Sequence, residues 1–582
     1  MKCDAIKRRD FLSHSLLGVV GLVAPSMFRF RKREMPNILW ITSEDNSSTF
    51  LGCYGNAFAT TPNLDKMASE GILYENAFAN APVCAPARFT ILTGMYACAL
   101  GTHHMRSRYP ISDFVKPYPH YLRQAGYYCT NPGKTDYNFQ TDDKSHWDEG
   151  DYTHRKKGQP FFHVVNLNVS HESKIHNRNS ELRHDPQKVI LPPYHPDTPE
   201  IRADWAQYYD QVEKMDSQVG EILEKLEREG LAQDTIVFYF ADNGGVLCRS
   251  KRMLYDTGTH VPMIIRFPKK YQHLAPSKPA TRTDRLVSFV DLAPSLLRLV
   301  GVDVPDYMQG EAFLGEGSAQ PRKYVYLFRN RMDERYDMMR AVRDERYKYI
   351  RNYMPHRIYG QHLNYLWKAA NTRSWEQEYK SGRCNRTQSL FWQEKPSEEL
   401  YDTRVDPHEV NNLAGDPDHA DILKRMREEK MRWVREMRDP GFLPEGEMID
   451  RSEGTTIYDL IHQDGFPADR IIETAEMASM RDARNLPEII RRLDDEESAV
   501  RFWAATGCVA LGKAAEPASD ALMSRLEDPC GDVRIAVSEA LCILGKTEQL
   551  VTLENGNEMT RLHAENAAYA LGLRSAQQET RQ

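Results

Sequence analysis

"PNILWITSED", residues 36 to 45, decides the fold: an apolar run over residues 37 to 42 is fenced by Pro36 on one side and a polar cluster on the other. A run without polar alternation suits a strand buried on both faces, and such strands sit in parallel sheets covered by helices. Three further runs share this texture: "PFFHVVNLNVSH" (160–171), "TIVFYFADNGG" (235–245) and "VPMIIRFP" (261–268). Helical patterns stand between them. "TPNLDKMASEGILYENAF" has Thr61 or Asn63 near an N-cap and Gly71 as a stop. "WAQYYDQVEKMDSQVGEILEKLEREG" is amphipathic at the helical period and ends at Gly230. Strands alternating with helices predict an α/β domain whose mainly parallel sheet carries helices on both faces.

The chain has 582 residues, more than one core organises, so several domains are expected. A net charge of -7 argues against a nucleic-acid partner. The ten cysteines form no C-x-x-C pair and no dense framework, which argues against a zinc ribbon and a disulfide-stapled fold. No apolar run after residue 30 is long enough to span a bilayer. The first residues differ. Arg8-Arg9, then Phe11-Leu12, then an apolar run resemble a bacterial twin-arginine export signal over residues 1–34, which implies an exported, periplasmic protein. No Ala-x-Ala site follows, and "RFRKR" at 29–33 is basic on the far side of the apolar run, so an uncleaved, membrane-tethering segment stays open.

The α/β piece is expected over residues 35–335. "MRAVRDERYKYIRNY" then alternates like strands, "ELYDTRVDPHEVNNLAGD" (399–416) is turn-rich, and a charged helix covers 419–438, which together predict a smaller α+β subdomain over 336–445. Residues 455–582 repeat. "RLDDEESAVRFWAATGCVALG" (492–512) aligns with "RLEDPCGDVRIAVSEALCILG" (525–545) at a spacing of 33 residues, and a shortened copy ends in "AAYALG". The segment resembles HEAT-type helical repeats, either a surface for a protein or glycan partner or a packing module on the rest of the chain.

Two groups of residues carry chemistry. Glu44-Asp45 and Asp242-Asn243 each follow a strand, and in open parallel sheets ligands bind beyond the strands' carboxyl ends. Four side-chain oxygens there suit Ca²⁺ or Mg²⁺, not zinc, although an acidic loop is common without a metal. Arg88, Lys134, His171 and Lys251 are the cations; each alone reads as an ordinary surface charge or core histidine, but together they would bind a tetrahedral oxyanion. Cys84 alone reads as a small buried hydrophobe.

"CAPARFTILTG", residues 84 to 94, unites them: C-x-P-x-R followed by Leu-Thr-Gly is similar to the signature of the type I, formylglycine-dependent sulfatases. "PNILWITSED", "GK" at 133–134, "ADNGG" at 241–245, the segment from Lys251 to Pro262, "VRDERYKYI" and "ELYDTRVDPHE" resemble that family's segments in its order, over residues 36 to 440. The resemblance implies an alkaline-phosphatase-like fold. It implies that a maturation enzyme oxidises Cys84 to Cα-formylglycine, whose hydrate attacks sulfur with one hydroxyl and expels sulfate with the other. Glu44, Asp45, Cys84, Asp242 and Asn243 would form the metal shell. Arg88 would hold the formylglycine oxygen, Lys134 and Lys251 the sulfate oxygens, and His171 would face the leaving group. Two residues depart from the pattern: Glu44 stands where an aspartate is usual, and Asp136 where a histidine is common. The segments "SED" and "GKTDYNF" look most like bacterial members near the heparan N-sulfatases. A sulfated glycan is expected as substrate, N- or O-sulfated glucosamine of a heparin-like chain foremost. A phosphodiesterase or phosphonate hydrolase of the same superfamily and a non-catalytic binder of sulfated glycans are the alternatives.

Overall fold

The computed structural model describes residues 35–547 and 556–573. The arginine-pair segment, 1–34, lies outside them. Across the main sheet the seven strands run β3 (Tyr128–Thr130), β4 (Phe161–Leu167), β1 (Asn37–Ser43), β5 (Thr235–Ala241), β6 (His260–Arg266), β2 (Ile72–Phe78) and β7 (Thr281–Ser288). The expected mainly parallel sheet is present. Only β6 is reversed, antiparallel to both β5 and β2. Residues 242–259, with one short helix at Asp256–Thr259, join β5 to this antiparallel neighbour, a pairing that needs no crossover over the sheet.

β1 and β5 are buried along their whole lengths, as their unbroken apolar runs require. Alternation along β1 divides its side chains between two faces. Leu39 and Ile41 join one core cluster with Tyr208, Val212, Met215 and Val219 of the helix Pro199–Arg228. That helix begins earlier than its amphipathic pattern, where Thr198 Oγ1 accepts from Ile201 N at 3.3 Å and Pro199 fits the first turn. Trp40, on the other face, meets Tyr118, Phe162, Phe238 and Phe240 with ring centroids 5.1 to 5.8 Å away. Replacing such a side chain with alanine costs about 3–5 kcal/mol.

A second, antiparallel sheet orders β11 (Glu398–Asp402), β10 (Tyr347–Asn352), β9 (Met339–Arg343) and β8 (Val325–Arg329). It takes β8 from residues ahead of 336, and the turn-rich 399–416 stretch contributes the edge strand β11. The charged helix, Ala420–Glu436, lays Met426 against Val342, Tyr349 and Leu400.

The C-terminal segment is helical. Helices Ser498–Leu511 and Gly531–Leu544 begin and end 33 residues apart, matching the sequence repeat. Ala468–Ala478, Ser498–Leu511, Gly531–Leu544 and Glu558–Ala570 pack successively, each on the next. The stack is docked on the preceding part: Trp503 Nε1 donates to Phe442 O at 2.8 Å, Arg357 forks onto Glu539 at 2.6 and 2.8 Å, and Arg351 donates to Glu476 O at 2.8 Å.

Candidate active site

The register places Ser43 beside Ala241, so the chain leaves β1 and β5 at the same edge of the sheet. Glu44-Asp45 and Asp242-Asn243 therefore meet, and all four are buried. Asp45 N donates to Asp242 Oδ1 at 3.1 Å, and Asn46 N to Asn243 O at 3.0 Å. Asp45 takes a left-handed φ of 53°, a conformation uncommon outside glycine that persists where surrounding contacts enforce it. Asn243 Nδ2 donates to Asp45 Oδ1 at 3.0 Å, leaving Asn243 Oδ1 buried without a partner. An orphan oxygen beside buried carboxylates is costly unless something positive meets it. This all-oxygen donor set fits a hard divalent cation.

Cys84 begins the helix Cys84–Thr93, all ten residues of which are buried. Val83 supplies no side-chain cap, so first-turn amides stay available to a negative group. Gly94 ends the helix at φ 68°, and a Cβ there would lie 3.0 Å from Met308. The Leu-Thr-Gly part of the motif is thus a buried helix stop. Four residues after Cys84, Arg88 shares its helix face. Its Nε and Nη2 reach Asp242 Oδ2 at 3.0 and 2.9 Å, and its Nη1 donates to Asn166 Oδ1 at 2.7 Å.

The remaining cations close on the acids. Lys134 Nζ donates to Glu44 Oε2 at 3.0 Å and lies 3.6 Å from Asp136. Lys251 Nζ donates to Asp45 Oδ2 at 2.7 Å and lies 3.3 Å from Glu172. Glycines make that approach feasible: a Cβ on Gly244 would sit 2.2 Å from Thr257 O, and one on Gly258 2.2 Å from Met253 O. His171 Nε2 stands 3.8 Å from Glu44 and 3.9 Å from Asp45. Ser173 N donates to His171 Nδ1 at 3.2 Å, so a neutral imidazole carries its proton on Nε2, facing the acids. All nine residues picked from the sequence come together here.

Electrostatics separates their roles. Burial pushes the Cys84 thiol up to about 12, with Asp136 adding to the shift and Lys134 and Lys251 opposing it. At neutral pH this side chain is a protonated thiol, a poor nucleophile. Burial alone would raise the Asp45 carboxyl, but Lys251 and His171 hold it well below the usual carboxylate range. Burial likewise disfavours charge on Lys251 and Arg88, yet Asp45 and Asp242 respectively hold each charged beyond its ordinary range.

Several residues escape motif reading. Asn166 anchors Arg88, and Glu172 donates its backbone N–H to Asp45 Oδ2 at 2.8 Å while its carboxylate receives Arg252 at 2.8 Å. Arg252 in turn pairs with Asp333 at 2.8 Å. The position of Glu172, immediately after His171, was its one signal. Elsewhere His184, Asp210 and Glu213 bring ligand atoms within 4.8 Å of one another. That cluster satisfies itself: His184 Nδ1 meets Asp210 at 2.8 Å and Arg183 pairs with Glu213 at 2.8 Å.

Known proteins share this arrangement's sequence. Residues 36–147 and 127–302 match the sulfatase family, residues 248–362 match the N-sulphoglucosamine sulphohydrolase C-terminal family, and residues 455–542 match HEAT repeats. The chain is 37% identical over 472 residues to an ulvan-active sulfatase of Formosa agariphila, covering 72% of this chain and 78% of the relative. It is 28% identical over 498 residues to human N-sulphoglucosamine sulphohydrolase, covering 73% and 93% of the two chains. Among solved structures, a 2-O GAG sulfatase superposes with a TM-score of 0.51 at 21% identity over 70% of this chain and 93% of that one, which shows a shared fold. The relative at 37% identity matches over most of both proteins, and the family match over residues 36–302 takes in the strand ends and the buried helix described above; the chain belongs to the sulfatase family.

Proposed function

We propose that this sulfatase removes sulfate from a glycan through a Cα-formylglycine made from Cys84, with a divalent cation held by Glu44, Asp45, Asp242 and Asn243. The convergence of groups around Cys84 carries the reading: it opens the buried helix that holds Arg88 against Asp242, and Lys134 and Lys251, paired with Glu44 and Asp45, act on its side chain, so a converted group there would face all three cations. The hydrated aldehyde would supply two hydroxyls, one to attack sulfur and one to expel sulfate, and the cation would lower the proton affinity of the attacking one. The side chains do the rest. Lys134 and Lys251 offer two fixed ammonium groups to the sulfate oxygens, where charge accumulates. Arg88, forked onto Asp242, holds the oxygen set in place. His171 Nε2–H faces the acids and is the proton donor nearest the leaving group.

Ca²⁺ is the preferred occupant, with Mg²⁺ the alternative, because the donors are hard oxygens. A maturation enzyme is required as a partner. Arg8-Arg9 and the apolar run after them support export to the periplasm. The names of the relatives support two substrate classes, ulvan and N-sulfated glucosamine; the site's cations support an anionic sugar in either case.

The test incubates matured enzyme with defined sulfated oligosaccharides of both classes, an aryl sulfate and an aryl phosphodiester, and measures released sulfate and phenol. Preferred release from a sulfated sugar supports the reading. Faster cleavage of the phosphodiester would replace it with the phosphonate-hydrolase alternative.

A further inference from the structure

The segment 361–369 brings Tyr365 beside His171. Leu366, Trp367 and Ala369 are buried, anchoring the segment in two core clusters. Leu366–Lys368 is a single 3₁₀ turn, in which positions three apart eclipse. Tyr365 and Lys368 therefore share one side, Tyr365 half-buried and Lys368 exposed. The Tyr365 ring lies 6.4 Å from the His171 ring, centroid to centroid, and is met by His176 at 4.7 Å and 74°, a T-shaped contact that fixes its plane. Lys368 Nζ stands 5.1 Å from the Tyr365 centroid. No carboxylate among the described residues pairs with Lys368, whereas Lys380, at the far end of the helix that follows, holds Glu376 at 2.7 Å.

An unpaired ammonium on a fixed aromatic ring, next to the residue that faces the leaving group, has the chemistry of an anionic-sugar subsite. The aromatic ring offers a flat apolar contact to a pyranose, and the ammonium offers a point charge. We propose that Tyr365 and Lys368 receive the sugar bearing the scissile sulfate and that Lys368 reads a second anionic group on the substrate, a carboxylate or a second sulfate. This assignment rests on the sulfatase reading of the site and narrows its substrate to a sugar carrying two negative groups. Such a contact acts through binding of the sugar and leaves the sulfate to Lys134 and Lys251. The cost of losing it scales with the second charge of the substrate.

The experiment compares wild type, Lys368→Met and Tyr365→Ala on four substrates: an aryl sulfate, a monosulfated disaccharide with a neutral neighbour, the same disaccharide with a uronate, and one with a second sulfate. In Lys368→Met, the ratio of kcat/KM for a doubly anionic substrate to that for the aryl sulfate should fall about tenfold, chiefly through KM, for one lost charge contact. The uronate and disulfate arms show which anion is read. Tyr365→Ala should lower both disaccharide classes relative to the aryl sulfate. A binding measurement separates failures: titration calorimetry of the doubly anionic disaccharides into protein with Cys84 unconverted needs no turnover. Weaker binding in Lys368→Met supports the subsite even if sulfate release is never seen. Equal losses on all four substrates, or unchanged ratios and unchanged affinity, overturn the proposal.

Discussion

Lys251 Nζ lies 2.7 Å from Asp45 Oδ2, and both side chains are closed to solvent. Neither charge is tolerable there alone. Lys251 also faces Glu172 at 3.3 Å, so it stands between two buried carboxylates and neutralises part of the acidic site before any ligand arrives.

Removing that ammonium should therefore do two things. Lys251→Ala leaves Asp45 buried without its ammonium partner and Glu172 held by Arg252 alone, a loss of about 3–5 kcal/mol on breaking such a pair. It also removes a fixed positive group from the reacting centre, for which turnover should fall about 10²–10³-fold. Chemical denaturation and steady-state rates check the two separately. Lys251→Arg restores charge but not the shape of the ammonium, so it should recover stability more than turnover.

The orphan Asn243 Oδ1 makes the cation testable without activity. Adding Ca²⁺ to chelator-treated protein should raise the unfolding temperature, by the equivalent of about 2.7 kcal/mol at a hundredfold excess over Kd. Asn243→Ala and Asp242→Asn should blunt that rise. A Ca²⁺ response equal to wild type in both variants would place the cation elsewhere.

How much of this was legible follows from what each signal depends on. β1 and β5 could be read because burial on both faces leaves a continuous apolar run, and the acids after them mark the strand ends. Cys84 and Arg88 could be read only through the resemblance of C-x-P-x-R and Leu-Thr-Gly to the sulfatase signature, since alone they are a buried hydrophobe and a surface charge. Asn166, Glu172 and Arg252 could not, since a polar residue near a strand end is ordinary until packing shows which carboxylate or guanidinium it touches. The reversal of β6 left no trace in the pattern, because a buried strand has the same composition in either direction. The 33-residue repeat announced stacked helices, but their seat on Phe442, Arg351 and Arg357 depends on contacts no period encodes.

That seat has a pH signature. Glu476, on the helix Ala468–Ala478, meets Lys430 and lies 3.2 Å from Arg351. Burial raises its carboxyl, but Lys430 and Arg351 outweigh burial and hold it down at about 2, against an ordinary 4.5. A carboxyl depressed by folding contributes stability above its unfolded pKa and loses it as pH falls through the folded one. Burial works against the partner: it pushes the Lys430 ammonium down to about 8, which offsets part of what the carboxyl gains from the pair. Glu476→Gln should thus destabilise most at pH 7, and its deficit should shrink as pH falls from about 5 toward 2. Urea midpoints of both proteins across that range check it; a deficit independent of pH would mean the contact is one of packing. Lys430 and Arg351 would also be stranded by deleting the repeats, so truncation before residue 455 should cost stability.

Cys84 carries the decisive prediction. A cysteine kept for packing at a helix start would tolerate alanine with a modest loss of stability and would need no modification. Mass spectrometry of the peptide containing Cys84, taken from cells with a competent maturation system, should therefore show the aldehyde in place of the thiol. Cys84→Ala should unfold within about 1 kcal/mol of the unconverted protein, since one sulfur is lost from a site able to relax. Its turnover should fall by several orders of magnitude, as expected when a covalent nucleophile is removed. Cys84→Ser separates the two halves of the chemistry. A single hydroxyl can attack sulfur but has no second hydroxyl with which to expel sulfate, so the serine protein should stall with sulfate attached, visible as added mass on the same peptide. Full turnover by protein whose Cys84 is an intact thiol would falsify the mechanism, and with it the assignment of Lys134 and Lys251 to the sulfate oxygens.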